Sequence, residues 1–74
     1  MSKADKILKR MRNNPRDWRI ESVKTVARAH NIDWRQRGTS HVVFIRRDGR
    51  TLPIPAKRPI KAIYIRMFVN FITE

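Results

Sequence analysis

Alternating residues and turn signals between positions 34 and 55, WRQRGTSHVVFIRRDGRTLPIP, constrain the fold of this chain more than any other feature. Apolar Ile32 and Trp34 alternate with polar neighbours until Gly38 interrupts the pattern. The β-branched and aromatic run SHVVFIRR follows and leads into Asp48-Gly49, a strong signal for a two-residue hairpin turn. The stretch predicts two strands separated by the glycine turn, with a hairpin turn after the second.

A third strand is predicted at residues 51–55. Leu52 and Ile54 share one face of it, because successive strand residues point to opposite faces. Pro53 and Pro55 cannot donate hydrogen bonds to a ladder, which favours an edge position. The three strands together predict an antiparallel meander.

Two helices are predicted before the strands. An amphipathic helix is predicted from the apolar spacing i, i+3, i+4, i+7 over residues 4–11, after a Ser2–Asp5 pair that resembles a capping box. Pro15 ends this helix, because a proline disfavours helical geometry in the residue before it. A second helix is predicted to start around residues 19–21, and Asn31 is suited to cap its C-terminus. Its apolar stripe comprises Ile20, Val23, Val26, Ala27 and His30.

A final helix is predicted to close the chain, with Pro59 in its first turn. Its apolar face comprises Ile60, Ile63, Tyr64, Met67, Phe68, Phe71 and Ile72. The chain is therefore predicted to form one α+β domain over residues 1–74, in the order ααβββα, with the helices on one face of a three-stranded antiparallel sheet. The opposite sheet face stays available for a ligand.

The second strand has two distinct faces. Val42 and Phe44 share one of them, and His41 shares the other with Val43 and Ile45. If Val42 and Phe44 point into the core, His41 points towards the ligand face. The sequence also permits the reverse arrangement.

The charge of the chain indicates an anionic partner. Eighteen Lys and Arg stand against six Asp and Glu, which gives a formal net charge of +12. Nucleic acid is the leading partner, because guanidinium groups match phosphate oxygens; a surface charged for solubility is the alternative. The N-terminal MSKADKILKRMRNN has no signal-peptide apolar segment, and no apolar run reaches the roughly 18 residues that span a bilayer. A soluble protein with a cytoplasmic location and no membrane partner is expected.

Conventional catalytic centres find little support in the sequence. Its six carboxylates are scattered, whereas a metal-dependent nuclease gathers them around Mg²⁺. Two histidines without a cysteine fall short of a zinc ligand set, and two glycines do not make a phosphate-binding loop. Ser40 lacks the partner spacing of a catalytic triad. No metal or other cofactor is therefore expected.

His41 is the stronger candidate for chemistry of the two histidines. It follows a glycine-containing turn and begins a strand, whereas His30 lies at a helix end, where structural roles are commoner. RNA hydrolysis needs a base for the 2′-hydroxyl, a proton for the leaving oxygen and cations around the phosphorus, and imidazole suits the proton transfers. A strand-surface histidine without chemistry is the alternative. Nearby candidate phosphate contacts are Arg35, Arg37, Arg46 and Arg47.

Three aromatic residues outside these groups have competing interpretations. Trp34 and Tyr64 occupy apolar positions, so core packing is favoured over base stacking. Trp18 fits equally well as an anchor at a helix start and as a surface contact.

The order of a helix, WRQRGTSHVVF, DGRTLPIP and a closing apolar helix resembles the HicA toxins of bacterial and archaeal HicA–HicB toxin–antitoxin modules. That family has an Arg/Lys-rich strand, a Gly-Ser-His turn, an aromatic residue three positions after the histidine, and a strand that ends at proline before a C-terminal helix. The corresponding residues here are Arg35, Arg37, Gly38, Ser40, His41, Phe44, the strand over 52–55, and RPIKAIYI from Arg58. The match begins near Ile20 and leaves residues 1–14 as an N-terminal helical extension.

The resemblance implies a double-stranded-RNA-binding-domain-like fold and a metal-independent endoribonuclease that cleaves mRNA and stops growth. It implies His41 as the essential histidine and a cognate HicB-type antitoxin whose acidic surface covers it. The RNA-binding residues it favours are Arg35, Arg37, Gly38, Ser40, Arg46, Arg47, Lys57 and Arg58. The chain departs from the family pattern at the inserted Thr39 and in lacking a second histidine near His41. A non-catalytic basic module that binds RNA or DNA is the alternative function.

Overall fold

The computed structural model describes residues 3–38, 41–57 and 59–73, without the side chain of Arg37. Helices α1 (Lys3–Asn13) and α2 (Ile20–Ala29) are followed by strands β1 (Asp33–Arg37), β2 (His41–Ile45) and β3 (Thr51–Pro55) and by helix α3 (Ala62–Thr73). This succession confirms the predicted α+β class and the order ααβββα. Ser2 of the predicted capping box, Thr39, Ser40 and Arg58 lie outside the described residues.

The three strands form one antiparallel sheet in the order β1-β2-β3. Val42 pairs with Ile54, and Phe44 pairs with Leu52, across the β2–β3 ladder. All four side chains are buried. They form the core face of the sheet, against which α2 and α3 pack. The first of the two arrangements open for β2 is therefore confirmed, and His41 lies on the opposite face.

The two prolines of β3 are accommodated by its edge position. Pro53 lies opposite Val43, and Pro55 lies opposite His41. Antiparallel pairs alternate between hydrogen-bonded and non-hydrogen-bonded, and prolines fit only the second kind towards the neighbouring strand. Their missing N–H groups then fall on the outer edge of the sheet. This edge lacks two of the donors that an added strand would need, which protects it from edge-to-edge pairing.

The turn between β2 and β3 is longer than the predicted two-residue turn. The Arg46 N–H donates to the Arg50 carbonyl oxygen at 2.8 Å, and the Gly49 N–H donates to the Arg46 carbonyl oxygen at 3.1 Å. Residues 47–49 therefore form a three-residue loop. Within it only Gly49 has a positive φ, of 91°. A two-residue type I′ turn would need a positive φ at Asp48 as well, which is unfavourable for a residue with a Cβ.

The C-terminus of α2 ends in the cap predicted at Asn31. Asn31 has a φ of 58°, and its N–H donates to the Arg28 carbonyl oxygen at 3.2 Å. The Ile32 N–H donates to the Ala27 carbonyl oxygen at 2.9 Å. These two bonds are the pair that defines a Schellman motif, and the buried Ile32 supplies its hydrophobic contact. The motif turns the chain from α2 directly into β1.

Substitutions at Asn31 should separate this backbone requirement from side-chain chemistry. We expect Asn31→Gly to be at least as stable as the wild type, since glycine adopts a positive φ without a steric penalty. Asn31→Val should lower the free energy of unfolding by about 1–2 kcal/mol, because a β-branched side chain disfavours the left-handed conformation that asparagine tolerates. Urea denaturation measures both values. Equal stability of the valine and glycine variants would contradict the assignment.

Helix α1 packs mainly against α2 and α3 rather than against the sheet. Its buried residues are Ala4, Leu8 and Met11, and the latter two join the core that α2, α3 and the core face of the sheet enclose. The predicted end of α1 before Pro15 is confirmed by its last residue, Asn13. None of the helices in the described ranges is both long and apolar enough to cross a membrane.

Helix α3 begins later than Pro59, which corrects the predicted helix start. The Ile60 N–H donates to the Trp18 carbonyl oxygen at 2.9 Å, and these two residues form an isolated antiparallel bridge. The first helical bonds run from the Tyr64 and Ile65 N–H groups to the Lys61 carbonyl oxygen. Because the bridge holds Ile60 in an extended conformation, the helix starts only after it.

The rotation of α3 about its axis also differs from the prediction. Ile63 and Met67 are 61% and 44% exposed, whereas Ile65 and Val69, which the predicted face omitted, are buried. The other predicted members, Ile60, Tyr64, Phe68, Phe71 and Ile72, are buried or pack against the core. Because apolar residues cover so much of the surface of α3, its sequence pattern does not specify which side of the helix is buried. The elements that pack against α3 decide it.

Candidate nucleic-acid interface

The sheet face turned away from the helices, here called the open face, carries the candidate site. Its members with described side chains, read from the strand register, are Asp33 and Arg35 of β1, His41, Val43 and Ile45 of β2, and Thr51, Pro53 and Pro55 of β3. Asp33 is the only acidic member and lies at the end of β1 away from His41. Arg35 is the cation among the members whose side chains are described, and partly buried Val43 and Ile45 lie along the middle of the face.

His41 is exposed on the open face, at the first position of β2. Its backbone lies opposite Arg37 on one side and Pro55 on the other. Arg35 pairs with Val43 and is therefore the diagonal neighbour of His41. Diagonal neighbours in antiparallel sheets are typically about 7–8 Å apart. The exposed arginine and the exposed imidazole are thus within reach of one phosphodiester group.

Gly38 starts the reversal that leads from β1 to His41. Its φ is 63°, a left-handed conformation that glycine adopts without a steric penalty. Apart from its chain neighbours, no heavy atom of the described residues lies within 4 Å of the position a Cβ would take. The requirement for glycine here is therefore one of backbone conformation rather than of space. Thr39 and Ser40, between Gly38 and His41, lie outside the described residues, so the predicted role of Ser40 stays a prediction.

Arg46 and Arg47 differ in their surroundings although they are adjacent in sequence. Arg46 is half-buried: its Nη1 donates to the Phe71 carbonyl oxygen at 2.9 Å, and its Nη2 lies 3.3 Å from Asp48 Oδ2. Its guanidinium also lies 5.7 Å from the centroid of the Phe71 ring. Arg47, in contrast, is exposed at the tip of the β2–β3 turn. Arg46 thus connects this turn to the C-terminal end of α3 through a hydrogen bond, whereas Arg47 faces solvent.

We expect substitution of Arg46 to lower the stability of the protein and substitution of Arg47 to weaken RNA binding. Arg46→Gln should lower the free energy of unfolding by about 1–2 kcal/mol, because it removes a charge-assisted hydrogen bond and leaves the Phe71 carbonyl without that donor. Arg47→Gln should change stability by less than about 0.5 kcal/mol and should weaken RNA binding instead. Urea denaturation and RNA titration of both variants give the comparison. Equal free energies of unfolding for the two variants would show that the contacts of Arg46 contribute nothing to stability.

A cleft beside β3 adds further cations at the His41 end of the sheet. It is lined by Pro55, Lys57, Pro59, Lys61 and Tyr64. Because Pro55 pairs with His41 across the ladder, the cleft adjoins the candidate site, and the predicted RNA-binding residue Lys57 lies exposed there. Sequence reasoning assigned neither Lys61 nor Tyr64 to the site. No local signal marks them, since the cleft exists only because α3 lies alongside β3.

Trp34 and Trp18 have supporting positions away from the open face. Trp34, half-buried on the core side of β1, lies 6.2 Å from Phe44 between ring centroids, and Lys24 and Arg28 of α2 approach the same ring at 5.9 and 5.4 Å. The predicted core position of Trp34 is therefore confirmed. Trp18 Nε1 donates to the Asn14 carbonyl oxygen at 2.7 Å, which together with the bridge to Ile60 makes Trp18 an anchor of the α1–α2 connection.

Groups that could complete a conventional catalytic centre are sparse in the part of the chain that the structure describes. There, no three histidine, aspartate or glutamate side chains come close enough together to hold a metal ion. Asp48 is occupied by Arg46 and by Arg50, whose Nε lies 3.7 Å from Asp48 Oδ2. Among the described side chains of the open face, the groups available for chemistry are the exposed imidazole of His41, the guanidinium of Arg35 and the carboxylate of Asp33. No family model, curated protein or solved structure matches this chain.

Proposed function

We propose that this protein is a toxin of a type II toxin–antitoxin module of the HicA kind, acting in the cytoplasm as a metal-independent endoribonuclease on mRNA. The observation that carries the proposal is the exposed His41 on the open face, with exposed Arg35 as its diagonal neighbour across the β1–β2 ladder. Exposed Lys57 lines the cleft beside Pro55, which pairs with His41. The motif WRQRGTSHVVF adds the resemblance to that family. Both point to the same histidine.

His41 would act as general base and then as general acid. It would take the proton of a ribose 2′-hydroxyl, whose oxygen attacks the adjacent phosphorus. The bond from phosphorus to the 5′-oxygen breaks, and the leaving oxygen receives a proton from the imidazolium or through water. The products are a 2′,3′-cyclic phosphate and a 5′-hydroxyl. Arg35, together with Arg37, Lys57 and Arg58, would stabilise the charge that develops on the phosphoryl oxygens. Arg47, in the turn beyond the opposite end of β2, would bind a phosphate farther along the strand.

The positive charge of the chain also favours an antitoxin as its protein partner. A chain with a formal net charge of +12 attracts any RNA in the cell unless its surface is covered. A HicB-type antitoxin would present carboxylates to the open face and enclose His41. Charge complementarity of this kind increases the association rate and selects the partner.

A second candidate function is a non-catalytic module that binds RNA or DNA. It is favoured by the surroundings of the His41 ring, which makes no hydrogen bond to any residue of the described ranges. Catalytic histidines are commonly oriented by a hydrogen bond to the second ring nitrogen. In that case the open face would hold phosphates without cutting the strand.

Cleavage of a mixed mRNA by the purified protein in excess EDTA distinguishes the two functions. We expect cleavage products that end in a 2′,3′-cyclic phosphate. RNA that is bound and left intact would exclude the ribonuclease and support the binding module.

A further inference from the structure

Helix α1 presents a second cationic surface, separate from the open face. Its outward cations are Lys3, Lys6, Lys9, Arg10 and Arg12, all exposed, and Asp5 is the only acid in the helix. Lys6 and Lys9 form no ion pair with any carboxylate of the described residues. We call Lys3, Lys6, Lys9 and Arg10 the α1 basic face, because the helical repeat brings these four to one side of the helix.

The α1 basic face lies on the far side of the molecule from His41. Helix α1 packs on α2 and α3, and these two cover the core face of the sheet. The helices therefore separate the α1 basic face from the open face. The molecule measures 31 × 27 × 18 Å along its principal axes, so one short stretch of RNA cannot serve both surfaces without passing around the protein.

A small cleft with an aromatic wall adjoins this face. It has a volume of about 220 Å³ and is lined by Arg10, Asn14, Arg16, Asp17 and Trp18. The Arg10 guanidinium lies 5.9 Å from the Trp18 ring centroid, and that ring is only partly buried. Proteins that bind single-stranded nucleic acid combine cations along the backbone with aromatic rings on which bases stack. The α1 basic face and the Trp18 cleft supply both elements side by side.

The same features disfavour a lipid surface as the ligand. A membrane-binding helix inserts its apolar side into the bilayer, but the apolar side of α1 is already used: Ala4, Leu8 and Met11 are 4%, 9% and 1% exposed. Lys6 and Arg10 lie one helical turn apart, about 6 Å along the axis at 1.5 Å per residue. Evenly spaced, flexible cations suit a regular chain of phosphates.

We propose that the α1 basic face and the Trp18 cleft form a second binding surface for single-stranded RNA, with phosphates on Lys6, Lys9 and Arg10 and a base against Trp18. The choice of RNA as the ligand rests on the function proposed above. The surface would hold a strand away from the cleavage site. It would thereby raise affinity for long RNA without adding to the chemistry at His41.

The test uses the full chain with Trp34→Phe, which leaves Trp18 as the only tryptophan, and a 2′-O-methyl RNA of about 30 nucleotides that lacks the attacking hydroxyl and stays uncut. We expect this RNA to quench Trp18 fluorescence. Neutralising two cations with Lys6→Gln and Lys9→Gln should lower the slope of log affinity against log salt by about 1.4, since each phosphate contact on a single strand contributes about 0.7. Circular dichroism checks that each variant is folded.

The matched control is Arg28→Gln with Arg50→Gln, which removes the same formal charge from α2 and the β2–β3 turn. We expect the control to keep the parent salt slope and the fluorescence quenching. Bound RNA without a change in Trp18 fluorescence, or equal slopes for the two double variants, would overturn the proposal. Cleavage of natural RNA in EDTA by the same proteins reports on His41 separately, so a loss of either property identifies which of the two proposals has failed.

Discussion

Replacing His41 with alanine is expected to reduce RNA cleavage in excess EDTA by about 10²–10⁴-fold, the contribution typical of a positioned general acid–base group. The side chain is exposed on the open face and contributes nothing to the core, so the variant should unfold at the wild-type urea concentration. RNA binding should also persist, because the phosphate contacts come from arginine and lysine. The measurement is the initial rate of mRNA cleavage, with circular dichroism and RNA titration alongside.

The matched control for this variant is His30→Gln. His30 is half-buried at the C-cap of α2 and lines a cleft with Arg46, Arg47 and Phe71, beside the β2–β3 turn rather than at the His41 end of β2. The His30→Gln variant should cleave RNA at a rate within about twofold of the wild type, because no proton transfer is assigned to His30. Cleavage at the wild-type rate by His41→Ala would remove the proposed ribonuclease centre. An RNA with a 2′-deoxy nucleotide at the scissile position should resist the wild-type protein, since it lacks the attacking oxygen.

Truncating Phe44 to alanine is expected to lower the free energy of unfolding by about 3–5 kcal/mol. Phe44 is fully buried in the middle strand, with its ring centroid 6.2 Å from that of Trp34 and 5.3 Å from that of Phe68. Alanine would leave a cavity at the point where β1, β2 and α3 meet. A domain of 74 residues has about 4–11 kcal/mol of stability in total, so the loss is a large fraction of it.

Urea denaturation of Phe44→Ala beside Ile63→Ala measures this effect. Ile63 is 61% exposed on α3, and its truncation should change the free energy of unfolding by less than about 0.5 kcal/mol. A similar loss for both variants would contradict the burial that distinguishes them. In the marginally stable Phe44→Ala variant, RNA cleavage should fall together with the folded fraction rather than through any direct effect on the site.

Much of the fold follows from local periodicity and turn chemistry. The period of two places Val42 with Phe44 on one face of β2 and Leu52 with Ile54 on one face of β3, since neighbouring strand residues must point to opposite sides. That the Val42 face of β2 is the buried one was decided by the packing. The fixed ring of proline restricts β3 to an edge. Asn31 tolerates the left-handed conformation that ends α2. Each of these features depends on a residue and its immediate neighbours, and the sequence states them directly.

The candidate site was only partly predictable. The position of His41 on the sheet follows from strand alternation once the core face is known. The separate surroundings of Arg46 and Arg47 do not, because the two residues look alike in sequence. Arg46 turns to the Phe71 carbonyl only because α3 ends beside the β2–β3 turn. The same packing of α3 brings Tyr64 next to Pro55 and Lys57.

The sequence by itself determined which residues alternate, where the chain must turn, and a formal net charge of +12 that predicts an anionic partner. The tertiary structure decided the start and rotation of α3, because the Trp18–Ile60 bridge fixes where the helix can begin. It also decided that the cations of α1 lie across the helices from His41, since α1 packs on α2 and α3. Periodicity specifies the faces of an element, but only packing between distant segments specifies which neighbour each face meets.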